Sequence, residues 1–314
     1  MAFFRRLLQL IVRVVTLMCV ELSRFCGIAL AIILAGCQSI DYVSDNNDKV
    51  FQRVIASHKQ YGATPKDWAQ HELQTDQIHS CVIIAPRYSP KIFEPYVKRV
   101  TQIANGRFPV YEIETNQGRK ISLIRVGVGA VNTLDAALAL AGTSCEKILF
   151  IGSVGSLSPD AAIGDIIIPS QSVCGSGADF YLTTGSFLQN NVIGKSYSSD
   201  SETSQKLFGS AQRFSQKEGI KVLDKKVFSI DTMFGEYLYF SEIKNLGCEA
   251  IEMETATLFH AAKVIGKKAA ALLYVVDCPL KGQAVYHGRT EDTEIKKVKV
   301  KKTLVPQIAL NFFE

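Results

Sequence analysis

The chain predicts an α/β fold: a three-layer sandwich with a central, mostly parallel or mixed sheet and helices on both faces. Two observations carry that expectation. From Ser80 onward, short β-branched runs bounded by Gly or Pro alternate with amphipathic helical stretches. Such alternation threads parallel strands through helical crossovers. The 314 residues are 47% hydrophobic and 21% charged, a globular balance long enough for one large core or two small ones.

Taken in order, residues 1–37 read as a targeting segment. Arg5, Arg6, Arg13 and Arg24 precede an uncharged, mostly apolar run from Cys26 to Gly36. That run is shorter than the about 20 residues a spanning helix needs, and suits a signal-peptide core. It ends in Leu34-Ala35-Gly36-Cys37, which resembles the bacterial lipobox and makes Cys37 the expected lipidation site. An uncleaved N-terminal anchor is the alternative, and a start at Met18 gives the segment ordinary proportions. Residues 38–78 read as a polar tether and a helical lead-in, and 79–314 as the folded domain. Strands are expected at "CVIIA" (81–85), "ISLIRVGVG" (121–129), "KILFIGSVG" (147–155), "DIIIPS" (165–170) and "KKAAALLYVVD" (267–277). Helices are expected at "VNTLDAALALAG", "FEPYVKRVTQIANG" (93–106) and "ATLFHAAKVIG", the last capped by Thr255. Residues 174–200, rich in Gly, Ser and Asn, read as a long functional loop or lid.

The net charge of +5 is modest and gives no argument for a nucleic-acid partner. Five lysines in "KKVKVKK" (296–302) are either a solvated helix face or a basic patch for an anionic ligand or membrane. Of eight cysteines, three fall in the targeting segment. The other five show no CxxC and no His at metal spacing, so no metal site is expected.

Chemistry concentrates in four places. In "CEAIEMETATLFHAA" (248–262), Glu252 and Glu254 flank Met253 at a strand-to-helix junction, where α/β sheets bind ligands. A carboxylate there can take both hydroxyls of a ribose, with the methionine against the sugar face; a capping or surface pair is the plainer alternative. Asp277 follows an apolar strand directly. In a desolvated cleft such an acid holds its proton near neutral pH and can donate it; a turn aspartate before Pro279 is the alternative. The turns "RVGVGAVN" and "FIGSVGSL" expose backbone N–H groups around Gly129 and Gly155 that suit an anion or polar ring. The first nearly spells GxGxxG but has Asn132 in the third place, a weak dinucleotide signal.

In order and spacing, "GVGAVNT", "IGSVGSLSPDAAIGDIII", "VFSIDTMF", "IEMETATLFHAA" and "VVDCP" resemble the nucleoside phosphorylase family. That family holds purine nucleoside and uridine phosphorylases and the methylthioadenosine and AMP nucleosidases. The resemblance spans about Cys81 to Gln283, with "METATLF" and "DCPL" most like short bacterial AMP nucleosidases. It implies a nucleoside phosphorylase-like sandwich that cleaves the N-glycosidic bond of a purine nucleoside or nucleotide. It implies Glu254 on the ribose hydroxyls, Met253 on the sugar, Phe228 stacked on the base, and Asp277 as general acid to purine N7. Glu252 and the turn residues Gly129, Ser153 and Gly155 complete the binding set. Arg289 falls where a basic helper sometimes stands. No cofactor is implied, beyond phosphate as co-substrate in a phosphorylase, and a homo-oligomer is expected.

Three departures shape the expected reaction. Ser89 stands about where the family's loop arginine belongs, with Arg87 nearby as a substitute. Phe150 replaces a second arginine before the "GSVG" turn, and Val276 replaces the usual Ser before the acid. Loss of both arginines removes bidentate phosphate contacts. The expectation is therefore hydrolysis over phosphorolysis, with Glu94 to activate water. The alternatives are a phosphorylase, a tethered nucleoside-binding protein without turnover, and a dinucleotide enzyme. Lipidation at Cys37 would place the protein in the cell envelope; a misassigned leader would leave it cytoplasmic.

Overall fold

The computed structural model describes residues 49–186 and 188–314. The targeting segment and Cys37 lie outside the described residues. Val50–Glu314 form one compact unit. Among the described residues, no helix is long and apolar enough to cross a membrane.

Helix α1 covers 49–60 and α2 spans Pro65–Glu72. Then come β1 (Cys81–Pro86), β2 (Arg99–Asn105), β3 (Pro109–Glu114), β4 (Lys120–Val126), α3 (Ala130–Ala139), β5 (Lys147–Ser156) and β6 (Ile166–Ile167). After β7 (Gln171–Gly175) and β8 (Ser196–Ser198) follow α4 (Ser201–Ser215), β9 (Val222–Leu223), β10 (Val227–Ile230) and α5 (Met233–Asn245). The chain closes with β11 (Ala250–Glu252), α6 (Thr255–Val264), β12 (Lys268–Asp277), α7 (Glu291–Lys299) and α8 (Val305–Phe313).

All twelve strands of the described residues join one mixed sheet. Its centre is parallel: β4, β1, β5 and β12 run side by side in one direction. Strands buried on both faces read as continuous apolar runs, which is why these four were legible in the sequence. Successive β1 side chains alternate between two cores. Val82 and Ile84 pack with α3 and α6, while Ile83 and Ala85 pack with α4 and α8. That alternation is the three-layer sandwich. Residues 50–78 contribute Val50, Ala69, Leu73 and Ile78 to the first core.

Two expected elements are corrected. Residues 93–106 are not a helix: Glu94–Tyr96 make one 3-10 turn and Arg99–Asn105 pair antiparallel with β3. Pro95 sits within the first positions of that turn, where it is tolerated, Val97 is already extended, and Val100, Thr101 and Ile103 favour the pleated surface. The 174–200 loop is not a free lid either. Its 3-10 helix Gly177–Leu182 is fastened to α6 through buried Asp179, whose Oδ1 lies 2.7 Å from His260 Nδ1 and which also accepts from Thr257. Tyr197 of β8 stacks on His260 with ring centres 4.1 Å apart.

Candidate active site

The two glutamates that flank Met253 divide their work. Glu252 ends β11 opposite Ser229 of β10. It is 5% exposed, and its Oε2 accepts from the Glu254 and Thr255 N–H groups at 2.8 Å each. Its Oε1 takes the Thr255 and Ser229 hydroxyls. Thr255 is the first helical residue, and Glu252 rather than Thr255 accepts its N–H and that of the N-cap Glu254, while Ser229 Oγ accepts the Ala256 N–H at 2.9 Å. A side chain two residues ahead of the N-cap escapes a local capping rule. Burial pushes the Glu252 carboxyl up, against the pull of its hydrogen bonds.

Glu254 occupies the N-cap position itself, and its Oε1 accepts the Gly129 N–H at 2.6 Å. Gly129 holds φ +102, where a side chain would be strained, and opens α3 immediately afterwards. One bond leaves most of a carboxylate's acceptor sites for a ligand. Burial, and then the neighbouring Glu252, push Glu254 up.

Gly155 is the hub of the site. Its backbone pairs with Ile251 of β11 on one side and with Asp277 of β12 on the other. The sheet thereby sets the glutamate motif and the acid at the two flanks of one strand. A register shift between Val275 and Asp277 marks the end of β12. Asp277 is 2% exposed and its Oδ2 has no hydrogen-bond partner. Burial pushes the carboxyl up to about 6, against the opposing pull of Arg289 and Lys297. Arg289 is not paired directly with the acid. Its guanidinium binds the Val285 carbonyl at 2.8 Å, the Val276 carbonyl at 3.3 Å and the Glu294 carboxylate at 2.8 Å.

Phe228 and Met253 share one small apolar cluster with Val173 and Ile251. Gly175 makes room there, since a Cβ on it would lie 2.4 Å from the Phe228 ring. Ser153 is exposed within a strand whose other inner positions are buried, so the sheet opens at that point. Phe150, by contrast, is fully buried core.

Not every expected residue joins this group. Glu94 is exposed on its 3-10 turn and makes no hydrogen bond or ion pair among the described residues. Arg87 is exposed with φ +54, and its N–H donates to the Val126 carbonyl at 3.2 Å, which lays the loop against the Gly127 turn.

Two residues went unnoticed in the sequence. Arg125 is exposed at the end of β4, in register with Ala85 and two residues short of the Gly127 turn. Glu236 is 8% exposed near the start of α5, and burial together with the Asp277 carboxyl pushes it up to about 7.

The site is thus a buried acid and a second buried carboxylate at the carboxyl ends of the strands of a doubly faced α/β sheet, the place where enzymes of this architecture bind ligands. The chain belongs to the phosphorylase superfamily, whose family model matches residues 87–308. It is 26% identical over 204 residues to the DeoD-type 1 purine nucleoside phosphorylase of Photobacterium profundum, covering 63% of this chain and 79% of that one. The DeoD-type enzyme of Psychromonas ingrahamii is 27% identical over 194 residues, 61% of this chain and 78% of the other. The fold is shared with purine nucleoside phosphorylase from Toxoplasma gondii (TM-score 0.57, 18% identity, 74% of this chain and 91% of that one). Uridine phosphorylase from Vibrio fischeri is also similar (TM-score 0.58, 19% identity, 74% and 92%).

Proposed function

We propose that the protein cleaves the N-glycosidic bond of a purine nucleoside with phosphate as acceptor. The relatives are phosphorylases, which favours phosphorolysis over the hydrolysis that the missing arginines suggested. The observation that carries the reading is Asp277: a buried acid at a strand end, with one unpartnered oxygen and a proton affinity raised to about 6. In this reading a phosphate oxygen attacks C1′ as the C1′–N9 bond breaks. The electron pair leaves on the base, and Asp277 delivers its proton to N7. Positive charge builds on the ribose, and Glu254 holds the hydroxyls of that sugar. Phe228 and Met253 supply apolar faces for base and sugar. Phosphate itself is the co-substrate; proton transfer and charge stabilisation ask for no metal or redox group.

The phosphate site departs from two paired arginines. The candidates here are Ser153, Arg87 and Arg125, near the carboxyl ends of β5, β1 and β4. A water-activating role for Glu94 has no supporting contact. The exposed Phe234, Leu238 and Tyr286 are apolar surface suited to a homo-oligomer contact. Lipidation at Cys37 is proposed alongside and is tested by the mass of the mature N-terminus.

The test is base release from adenosine, inosine and AMP, each with and without phosphate, in wild type and Asp277→Asn. Phosphate-dependent release that the variant loses supports the reading. Release independent of phosphate returns the hydrolytic one.

A further inference from the structure

The catalytic groups occupy one end of the sheet, and the opposite end carries a cavity of its own. Gln171 opens β7 and pairs with Ser198 at the close of β8. Strand β10 runs parallel to β7, so Asp224, just ahead of it, lies at that same end. Glu252 lies at the other: it is in register with Ser229, which is in register with Cys174, three residues beyond Gln171. At about 3.3 Å per residue that is roughly 10 Å along the strands. The ends of β7 and β8, the start of α4 and the lead-in to β10 border a cavity of about 670 Å³. Small-molecule sites run from roughly 300 to 1,000 Å³. No residue of the proposed reaction lines it.

Its wall is made of neutral hydrogen-bonding groups. Five serines, Ser204 among them, supply hydroxyls, and Gln171 and Gln205 supply amides. Asp224 is the one carboxylate in that wall, and no cationic side chain lines it. Ile168 and Phe208 give it an apolar patch. The Asp224 Oδ1 accepts the Ser170 N–H at 2.8 Å, which leaves its second oxygen without a partner among the described residues. Ser204 of α4 is only 8% exposed, yet its hydroxyl has no hydrogen-bond partner among the described residues. A buried polar group without a partner is costly. A helical serine can turn back to the carbonyl four residues earlier; the Ser204 hydroxyl does not, and stands in the cavity wall instead.

Hydroxyls and amides both donate and accept, so this wall suits a ligand whose own groups do the same. One carboxylate with no cation beside it repels a phosphate or an acid. The apolar patch asks for a carbon face between the polar groups. Sugar rings combine these properties: a rim of hydroxyls around a face of C–H groups. We propose that the cavity binds a neutral saccharide of one or two rings. Its hydroxyls would bond Ser204, the free oxygen of Asp224 and the two amides, and its C–H face would rest on Phe208. The site lies apart from Glu254 and Asp277, so the inference does not depend on the proposed reaction.

The experiment titrates the full chain with glucose, galactose, ribose, sucrose and trehalose, and follows binding by saturation-transfer NMR. Glucose 6-phosphate and glucuronate are the charged counterparts. At least one neutral sugar is expected to bind, and glucose to bind better than either charged form. Losing one neutral hydrogen bond changes affinity about fivefold. Ser204→Ala and Asp224→Asn should therefore each weaken the sugar that binds by about that factor, and the double variant by more than tenfold. Asn keeps an acceptor for the Ser170 N–H, and Ala suits a helix, so both chains should fold. Base release from nucleosides should be the same in both variants as in wild type. A sugar held at the catalytic end would ignore both substitutions, and that result overturns the proposal. So does a panel in which no neutral sugar binds, or one in which the charged forms bind more tightly. If Ser204→Ala fails to fold, the exposed Asp224 and the charged counterparts decide. Sugar binding lost in the variants, with no base release from any nucleoside, would sink the proposed reaction and leave this inference standing.

Discussion

Asp277 Oδ1 lies 3.0 Å from the point where a Cβ on Gly155 would stand. The acid is thus held against bare backbone, and Ile251 Cγ2 closes the other side of that point at 3.3 Å. Gly155→Ala therefore pushes either the acid or β11 by a few tenths of an ångström. Overpacking of this kind costs about 1–3 kcal/mol, and displacing the proton donor adds a catalytic loss. We expect kcat to fall more than tenfold while the melting temperature drops by only a few degrees. A variant with wild-type kcat would mean that the acid does not sit where the base leaves.

Asp277→Asn separates catalysis from stability. A carboxyl raised from 3.8 to about 6 by burial is favoured in its protonated form in the folded state. The folded chain therefore binds more protons than the unfolded chain between those values, and stability falls as pH rises through about 6. The whole shift corresponds to at most about 3 kcal/mol. Asn removes the charge that is costly above pH 6. The variant should match or exceed wild-type melting at pH 8, gain nothing near pH 4, and lose roughly 10²–10⁴-fold in kcat. Melting curves across pH, set beside turnover, read both effects. For wild type, kcat/KM should decline as the pH rises past about 6 and Asp277 loses its proton.

Glu252 and Glu254 carry opposite expectations. Glu252 anchors two backbone N–H groups and two hydroxyls in a buried network. Glu252→Ala orphans those groups and should cost several kcal/mol, read as a large loss in melting temperature. The Glu254 carboxylate accepts one hydrogen bond, from the Gly129 N–H. Glu254→Gln should leave melting within a few degrees and cut kcat/KM about 10²-fold, with a smaller loss on the 2′-deoxynucleoside. Equal damage from both substitutions would contradict the division of labour.

How much of this was legible follows from what local sequence encodes. The four central parallel strands were legible because burial on both faces writes an uninterrupted apolar run. The Asp277 and Gly155 positions followed from strand ends and glycine turns. β11 has three residues, too few for any period, and its pairing with β5 is set by contacts far along the chain. β2 went unseen because it lies at the edge of the sheet with mixed exposure. Capping by Glu252 depends on Ser229, 23 residues away. Glu236 looks like any helical glutamate until the folded chain buries it.

The last prediction concerns the phosphate. Arg125 and Arg87 are both exposed, on the ends of adjacent strands β4 and β1, and neither makes a side-chain hydrogen bond among the described residues. The place of the missing arginine at Phe150 is closed, since that ring is fully buried in the first core. A phosphate dianion at this end of the sheet must then draw on Arg87, Arg125, Ser153 and the backbone of the glycine turns. Charge-assisted hydrogen bonds of this kind contribute roughly 1.5–3 kcal/mol each. Arg125→Ala and Arg87→Ala should each raise KM for phosphate by about tenfold or more, with KM for the nucleoside changed far less. The double variant should lose phosphate saturation altogether. Initial rates against phosphate at fixed saturating nucleoside measure this directly. If neither arginine moves KM for phosphate, the anion is bound elsewhere or water is the acceptor, and isotopic labelling of the sugar product at C1′ tells those two apart.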